Sequence, residues 1–322
     1  MKSPIFLFSL PRSGSTLLQR VLMSHSDIAS VAEPWILLPF VYAYKREGVL
    51  TEYSHKISYS AISDFIDNLP RKYDDYHHHL KGFIESLYSM QCIHNEMYFL
   101  DKTPRYYNII PEIVKIFPDA KFIFLFRNPV HIMSSMIETW SSGNLRRLYA
   151  YDRDLNFGMK ALSKGYVDIK ERSCAINYED FVSEPLKQVQ KICSYLNIEF
   201  EKNMLQNFST QKPRGKEGDP TGIKQYQNID KSPTIKWKKT FNTMFRKKLL
   251  YRYILKLNAE TLKTQGYDKD QILHEISDMK TDSIGLIKDP LDYLFSNMVK
   301  ILKLNIWFLK HTSYWAKNRF IS

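Results

Sequence analysis

A short apolar run followed at once by a sequence resembling a phosphate loop is the feature that most constrains the fold. The run covers residues 5–8, and residues 9–16 read Ser-Leu-Pro-Arg-Ser-Gly-Ser-Thr. Apolar residues then recur at helical spacing, so a strand, a loop and a helix follow one another. In that geometry the backbone N–H groups of residues 13 to 16 converge on an anion at the positive end of the helix, beside the charge of Arg12.

The loop differs from the loop of ATPases and kinases in one informative way. Against the pattern G-x-x-x-x-G-K-[ST], Gly14 and Thr16 are in register, but Ser9 replaces the first glycine and Ser15 occupies the lysine position. A nucleotide-dependent kinase would need that lysine and magnesium ligands, so the loop gives weak support to a kinase. A non-catalytic module that binds an anion or a glycan is a second possible interpretation of the loop.

Polar residues follow three further apolar runs, at the points where these runs end. The runs cover residues 28–32, 97–100 and 121–126. Glu33, Lys102 and Arg127 come just after them, and Thr103 has the character of a helix N-cap before Pro104. Alternating strands and helices predict an α/β fold, with a mainly parallel central sheet flanked by helices. Ligands bind at the carboxyl ends of such strands, so Arg12, Glu33, Lys102 and Arg127 mark the predicted site.

The predicted organisation is one α/β domain over residues 1–281 and a C-terminal helical extension over residues 282–322. Within the domain, residues 36–95 read as a helical lid or insertion on the acceptor side. The extension carries an apolar stripe at helical spacing: Leu291, Leu294, Phe295, Met298, Ile301 and Leu302. Its uncharged runs are far shorter than the ~20 residues of a membrane span. The stripe therefore predicts core packing, a homodimer contact or a helix on a membrane surface.

Composition and charge narrow the function classes. The net charge is +12, and residues 201–260 hold 14 Lys and Arg against 5 Asp and Glu, which suits an anionic ligand. No nucleic-acid-binding motif accompanies this charge, so nucleic acid is not expected as a partner. Three cysteines without C-x-x-C spacing predict neither a disulfide framework nor a zinc site. His77, His78 and His79 point about 100° apart on a helix and are expected on a solvated face.

We expect a cytoplasmic protein, peripheral to the membrane if the extension binds its surface. The apolar run at residues 5–8 is too short for a signal peptide and is closed by Arg12. An odd number of cysteines without a pairing pattern agrees with a reducing compartment.

Several of these segments resemble the sulfotransferases that use 3′-phosphoadenosine 5′-phosphosulfate (PAPS). Residues 11–18 resemble the 5′-phosphosulfate loop of that family, Arg127 and Ser135 its 3′-phosphate element, and residues 101–106 a further motif. Glu33 falls where the tyrosylprotein-type enzymes place a catalytic glutamate. The resemblance covers about residues 3–245 and is closest to the tyrosylprotein, heparan and bacterial carbohydrate branch. It implies the sulfotransferase variant of the P-loop nucleotide-hydrolase fold.

The resemblance also implies a role for each residue. Glu33 would be the general base, with Lys102 and Arg12 neutralising charge on the transferred group. The donor would be held by two sets of residues, Ser13, Gly14, Ser15, Thr16 and Leu17 at the 5′ end and Arg127 and Ser135 at the 3′ end. Lys216 and Gly218 would belong to a later loop that covers the nucleotide.

The same resemblance implies adenosine 3′,5′-bisphosphate (PAP) as product. A sulfonate carries a single charge, so no metal is expected, which accounts for the missing loop lysine. The acceptor is a hydroxyl compound, with a glycan preferred and a lipid-linked sugar, a protein tyrosine or a small metabolite left open. His25 is the next candidate base.

Overall fold

The structure is a computed structural model that describes residues 1–215, 228–230, 232–282 and 287–309. The chain divides into two compact units, residues 1–127 with 161–230, and residues 128–160 with 231–322. The first unit contains every strand named below. The domain boundary expected between residues 281 and 282 stays a prediction.

A five-stranded parallel sheet forms the centre of the first unit. Its strands are β1 (Ser3–Ser9), β2 (Ile28–Ser30), β3 (Tyr98–Asp101), β4 (Lys121–Phe126) and β5 (Ser173–Asn177). They lie in the order β2-β3-β1-β4-β5, and all neighbouring pairs are parallel. This confirms the predicted α/β fold with a parallel sheet. The sequence prediction missed β5, whose residues alternate between buried and half-buried positions instead of forming an apolar run.

Helices make up the other regular elements of the two units. They are α1 (Ser15–Leu22), α2 (Leu37–Tyr42), α3 (His55–Asp67), α4 (Tyr73–Gln91), α5 (Ile110–Ile116), α6 (Pro129–Ser141), α7 (Leu148–Arg153), α8 (Met159–Asp168), α9 (Tyr178–Ser183), α10 (Pro185–Leu196), α11 (Asn203–Gln206), α12 (Trp237–Thr240), α13 (Met244–Lys256), α14 (Ala259–Thr264), α15 (Lys269–Asp278), α16 (Lys288–Ile301) and α17 (Leu304–Leu309). Shorter helical turns cover Pro104–Asn108, Asp154–Gly158, Lys170–Arg172 and Ser232–Thr234.

Apolar side chains pack on both faces of the sheet. Central strands of a parallel sheet are covered on both sides, which is why β1 and β4 are almost continuously apolar. On one face the rings of Phe6, Phe8 and Phe122 stack, with centroids about 6 Å apart. On the other face Ile5 and Leu7 belong to a cluster with buried residues of α1 and α10. This packing fixes the strand ends from which the polar residues extend.

Helices α2, α3 and α4 lie within residues 36–95, whose role as a lid or insertion stays a prediction. One expectation for these residues was wrong. His77 is buried, and its ring lies about 6 Å from those of Tyr44, Tyr73 and Tyr76. Burial lowers the pKa of His77, so the ring packs as a neutral aromatic and not as part of a solvated face. His78 and His79 are exposed as expected.

The apolar stripe of the C-terminal extension does not pack into a core. Leu291, Leu294, Phe295, Met298, Ile301 and Leu302 are all exposed, by between 37% and 76%. The prediction of core packing for this stripe was therefore wrong, because α16 buries a different set of its residues.

Candidate active site

The loop between β1 and α1 has a backbone that only particular residues tolerate. Gly14 has φ 87°, and a Cβ placed on it would lie 2.3 Å from Cε2 of Tyr178. Glycine is therefore required there both by conformation and by the close approach of the ring. Arg12 also adopts a left-handed conformation, with φ 68°. A non-glycine residue held in this way is the kind of local strain found at functional sites.

The loop offers fewer amide donors than the sequence predicted. The Ser13 N–H donates to the carbonyl of Leu10 at 3.2 Å, so it is used within the turn. The N–H groups of Leu17 and Leu18 donate to the Gly14 carbonyl. The N–H groups of residues 14 to 16 precede them at the helix N-terminus and have no acceptor within the helix. Leu17, predicted to bind the donor, uses its N–H in the helix and its side chain in the core.

The side chain of Ser13, unlike its backbone N–H, offers a hydrogen-bonding group that the loop itself does not use. Its side chain is fully buried, and its Oγ has no hydrogen-bond partner among the described residues. A buried hydroxyl without a partner is costly, so such groups usually meet a ligand, an ion or water. The cradle formed by this hydroxyl and the helix N-terminus suits an anion such as a phosphate.

Glu33 and Lys102 form a shielded ion pair beside the loop. Lys102 Nζ lies 2.7 Å from Glu33 Oε1 and 3.4 Å from Thr16 Oγ1. The indole N–H of Trp35 donates to Glu33 Oε2 at 3.1 Å, so both carboxylate oxygens are held. Trp35 has φ 57°, which is unusual for a bulky residue and marks a second strained position at the site. The pair is formed because β3 and β2 are neighbours, and both residues follow the carboxyl ends of those strands.

Asp101, at the end of β3, is the centre of a buried hydroxyl network. It accepts hydrogen bonds from Tyr88 at 2.5 Å, Thr103 at 2.9 Å and Tyr106 at 3.0 Å. Burial raises the pKa of Asp101 to about 6. The Thr103 hydroxyl therefore donates to Asp101. The sequence predicted that it would cap the turn that follows, and it does not.

The same network reaches the segment that carries Glu33. The backbone N–H of Trp35 donates to Thr103 Oγ1 at 3.3 Å, and that of Leu37 donates to Tyr106 Oη at 3.2 Å. Asp101 thereby ties the Lys102 backbone to the Glu33 segment.

Gln19, on α1, holds the carboxyl end of β2 by hydrogen bonds. This residue was not identified from the sequence. Its amide donates to Ser30 Oγ at 2.8 Å and to the carbonyl of Val31 at 2.7 Å. Ser30 Oγ in turn donates to the Leu100 carbonyl at 2.8 Å. Gln19 is buried on α1, directly after the apolar pair Leu17 and Leu18. A polar residue inside an apolar helical segment is the signal that could have identified it.

Arg127 lies against the loop between β1 and α1. Its Nη1 donates to the carbonyl of Arg12 at 2.7 Å, and its guanidinium lies 4.3 Å from the ring centroid of Tyr178. Tyr178 thus packs against both Gly14 and Arg127. Its position follows from β5, which the sequence prediction missed. Arg12 is half-buried in the same loop.

For three predicted donor-binding residues the role stays a prediction. Ser135 is half-buried on α6, in the second unit. Lys216 and Gly218 lie outside the described residues.

His25, the alternative base, has a structural role. It is buried, its Nε2 lies 2.8 Å from the carbonyl of Glu199, and its Nδ1 accepts from the Asp27 N–H at 2.9 Å. Both ring nitrogens are therefore used within the fold.

Comparison with known proteins identifies relatives of this arrangement. Residues 4–202 match the Sulfotransferase family. The chain is 31% identical over 136 residues to the nodulation protein NoeE of Sinorhizobium fredii, covering 42% of this chain and 31% of that protein. It is 23% identical over 224 residues to a protein-tyrosine sulfotransferase of Drosophila melanogaster, covering 66% of this chain and 41% of that protein. The chain thus spans less than a third of the NoeE length.

Solved structures show the same fold. The sulfotransferase domain of a Synechococcus olefin synthase superposes with a TM-score of 0.50 at 23% identity, covering 74% of this chain and 89% of that domain.

Proposed function

The chain belongs to the sulfotransferase family, and from this premise we propose that it transfers a sulfonate group from PAPS to a hydroxyl of a carbohydrate or glycoconjugate acceptor. The observation that carries the proposal is the ion pair of Glu33 and Lys102, 2.7 Å apart, beside a loop whose buried Ser13 hydroxyl has no partner in the described part of the chain. A base, a cation and an anion cradle are the groups that this transfer requires.

The residues present fit a nucleotide with phosphate groups. The amides of residues 14 to 16 and the hydroxyl of Ser13 would hold the 5′-phosphosulfate, and Arg12 would add a positive charge. Arg127 is expected at the 3′-phosphate, with Ser135 as a second donor. Lys216 and Gly218 are proposed to cover the nucleotide.

Glu33 is proposed as the general base. A neutral alcohol is a poor nucleophile, so the acceptor oxygen must lose its proton as its bond to sulfur forms. Trp35 and Lys102 hold the carboxylate from two sides, which orients its oxygens before an acceptor arrives. The proton passes to Glu33, and the bond between sulfur and the PAP oxygen breaks.

Lys102 is proposed to act on the sulfonate while it holds Glu33. An ammonium group has three N–H donors, and among the described residues Glu33 and Thr16 accept from Lys102. Because Lys102 is almost fully buried, its charge is poorly screened and acts strongly on charge that develops nearby.

Trp35 supports a glycan as the acceptor. Its indole is 41% exposed although its N–H is bonded to Glu33. An aromatic face held in place at the base can pack against the apolar C–H face of a sugar ring. The ring would then deliver a neighbouring hydroxyl to Glu33.

The test is an acceptor screen with labelled PAPS, in which glycans, tyrosine peptides and small phenols compete for the label. Trp35→Phe keeps a ring and removes the N–H, whereas Trp35→Ala removes both. For a glycan acceptor, Trp35→Ala raises the acceptor KM well beyond the value for Trp35→Phe, and PAP binding is unchanged in both. Transfer to tyrosine peptides alone would contradict the glycan acceptor and leave the sulfotransferase activity standing.

A kinase activity is the alternative that this screen also tests. Sulfonate transfer is expected to persist in EDTA, because the loop has Ser15 where a kinase has lysine. Magnesium-dependent turnover of ATP without transfer from PAPS would support the kinase instead.

A further inference from the structure

Helix α16 has the reverse of the usual orientation of a surface helix. The residues that it buries are Asp289, Asp292, Ser296 and Val299. We name as the outer stripe Ile287, which directly precedes the helix, and Leu291, Leu294, Met298 and Ile301 of the helix. Each is between 43% and 76% exposed. Their spacing of four and three residues places them along one face. Contiguous exposed apolar residues of this kind mark an interaction surface.

The acidic residues of α16 are held inward by arginines of the same unit. Asp289 accepts from Arg246 Nε and Nη2, both at 2.7 Å, in a bidentate pair. Asp292 lies 3.5 Å from Arg146 Nε. The Tyr149 N–H donates to Ser296 Oγ at 2.9 Å, so polar contacts fix the inner face along its length. These contacts prevent the helix from rotating its apolar stripe inward.

The exposed charged residues of this region are lysines. Between residues 287 and 309 they are Lys288, Lys300 and Lys303. Lys300 pairs with Asp152 of α7 at 2.7 Å. Trp307 is also exposed, at the end of the same region. The sequence that follows adds Lys310, Lys317 and Arg319 and has no acidic residue. An apolar stripe with lysines and an aromatic residue is the composition of a helix that lies in a membrane interface.

We infer that the outer stripe docks this protein onto an anionic membrane surface. The charge decides between a membrane and a second copy of the chain. In a symmetric helix pair, Lys288 and Lys303 beside one stripe would meet lysines of the other, and between residues 287 and 309 no acidic side chain is exposed in the described part of the chain. Anionic headgroups neutralise the same lysines.

The stripe is also only two heptads long, which is short for a coiled-coil seam. Among the described residues, none of the helices combines the length and apolar character required to cross a bilayer.

The experiment is flotation of the full-length protein with vesicles of phosphatidylcholine alone and of phosphatidylcholine mixed with phosphatidylglycerol. Binding is expected to the mixed vesicles and to weaken as salt is raised, because exposed charges are screened. Leu291→Glu with Leu294→Glu removes the apolar contact and should lower partitioning by about 100-fold or more. The matched control is Leu255→Glu, a similarly exposed leucine on α13, which should bind like the wild type.

A second variant tests charge without changing the stripe. Lys288→Glu with Lys303→Glu should lower binding at least tenfold, on the basis of about five-fold per lysine. The control, Lys263→Glu on α14, should not. This variant also provides the test if the leucine variant does not fold.

Three results would overturn the inference. The first is that the wild-type protein does not bind the mixed vesicles. The second is that the leucine variant and the lysine variant both bind as the wild type does. The third is a dimer in sedimentation that the leucine variant makes monomeric, while no vesicle binding occurs. The last result would assign the stripe to a second copy of the chain.

Discussion

Lys102 Nζ lies 2.7 Å from Glu33 Oε1, with the lysine side chain 2% and the glutamate 13% exposed. The two residues are 69 positions apart in the chain and meet because β2 and β3 are neighbours. Such a pair is costly to break, since removal of one partner leaves the other charge shielded from water. The pair therefore gives predictions for chemistry and for stability that can be separated.

Glu33→Gln is expected to leave PAP binding nearly intact and to lower sulfonate transfer by about 10²–10⁴, the range of a general base. The amide keeps the shape of the side chain but takes no proton. Single-turnover rates with labelled PAPS measure the step, and calorimetry measures PAP affinity. Glu52→Gln, an exposed glutamate of the same unit, is the control. Wild-type rates in Glu33→Gln would place the base elsewhere.

Lys102→Met is expected to destabilise the fold by about 3 kcal/mol, because it leaves the Glu33 carboxylate without its cation. The double variant Lys102→Met with Glu33→Gln should lose less unfolding free energy than Lys102→Met alone, since no unpaired charge remains. Urea unfolding of the four proteins in this cycle measures the coupling. If the two single losses simply add, the pair contributes no coupling energy.

Arg127→Lys is expected to weaken PAP binding by roughly 1.5–3 kcal/mol, the value of a hydrogen bond to a charged group. AMP lacks the 3′-phosphate, so its affinity should not change. Calorimetry with both nucleotides tests this, and Arg172→Lys, an exposed arginine at the amino end of β5, serves as the control. An equal loss for PAP and AMP would mean that Arg127 only supports the loop through Arg12 and Tyr178.

Asp101 predicts a dependence of stability on pH. Burial raises its pKa from 3.8 to about 6 in the folded protein. Between these two values the folded state holds a proton that the unfolded state has lost. Stability therefore falls as pH rises through this window, by up to about 3 kcal/mol for this group, and changes no further above it.

Asp101→Asn cannot titrate, so its unfolding free energy should lack this part of the slope. Chemical unfolding of both proteins between pH 4 and pH 7 measures the difference. Parallel curves for wild type and variant would show that Asp101 does not titrate in this window.

The local part of the site could be predicted from the amino-acid sequence. A strand, a loop with Gly14 and a helix are contiguous in the chain, so their geometry follows from neighbouring residues. The runs before Glu33, Lys102 and Arg127 predicted three more strands, and carboxyl ends of parallel strands share one edge. The parallel sheet and the placement of these residues at strand ends followed from that.

Which side chains contact one another depends on how distant elements pack. Strand order makes Glu33 and Lys102 partners, and the missed strand β5 brings Tyr178 against Gly14 and Arg127. A periodic pattern shows that a helix has an apolar face but not whether that face is covered. In α16 that was settled by Arg246, 43 positions from its partner Asp289. Contacts between distant residues depend on the packing of whole elements, which no local pattern contains.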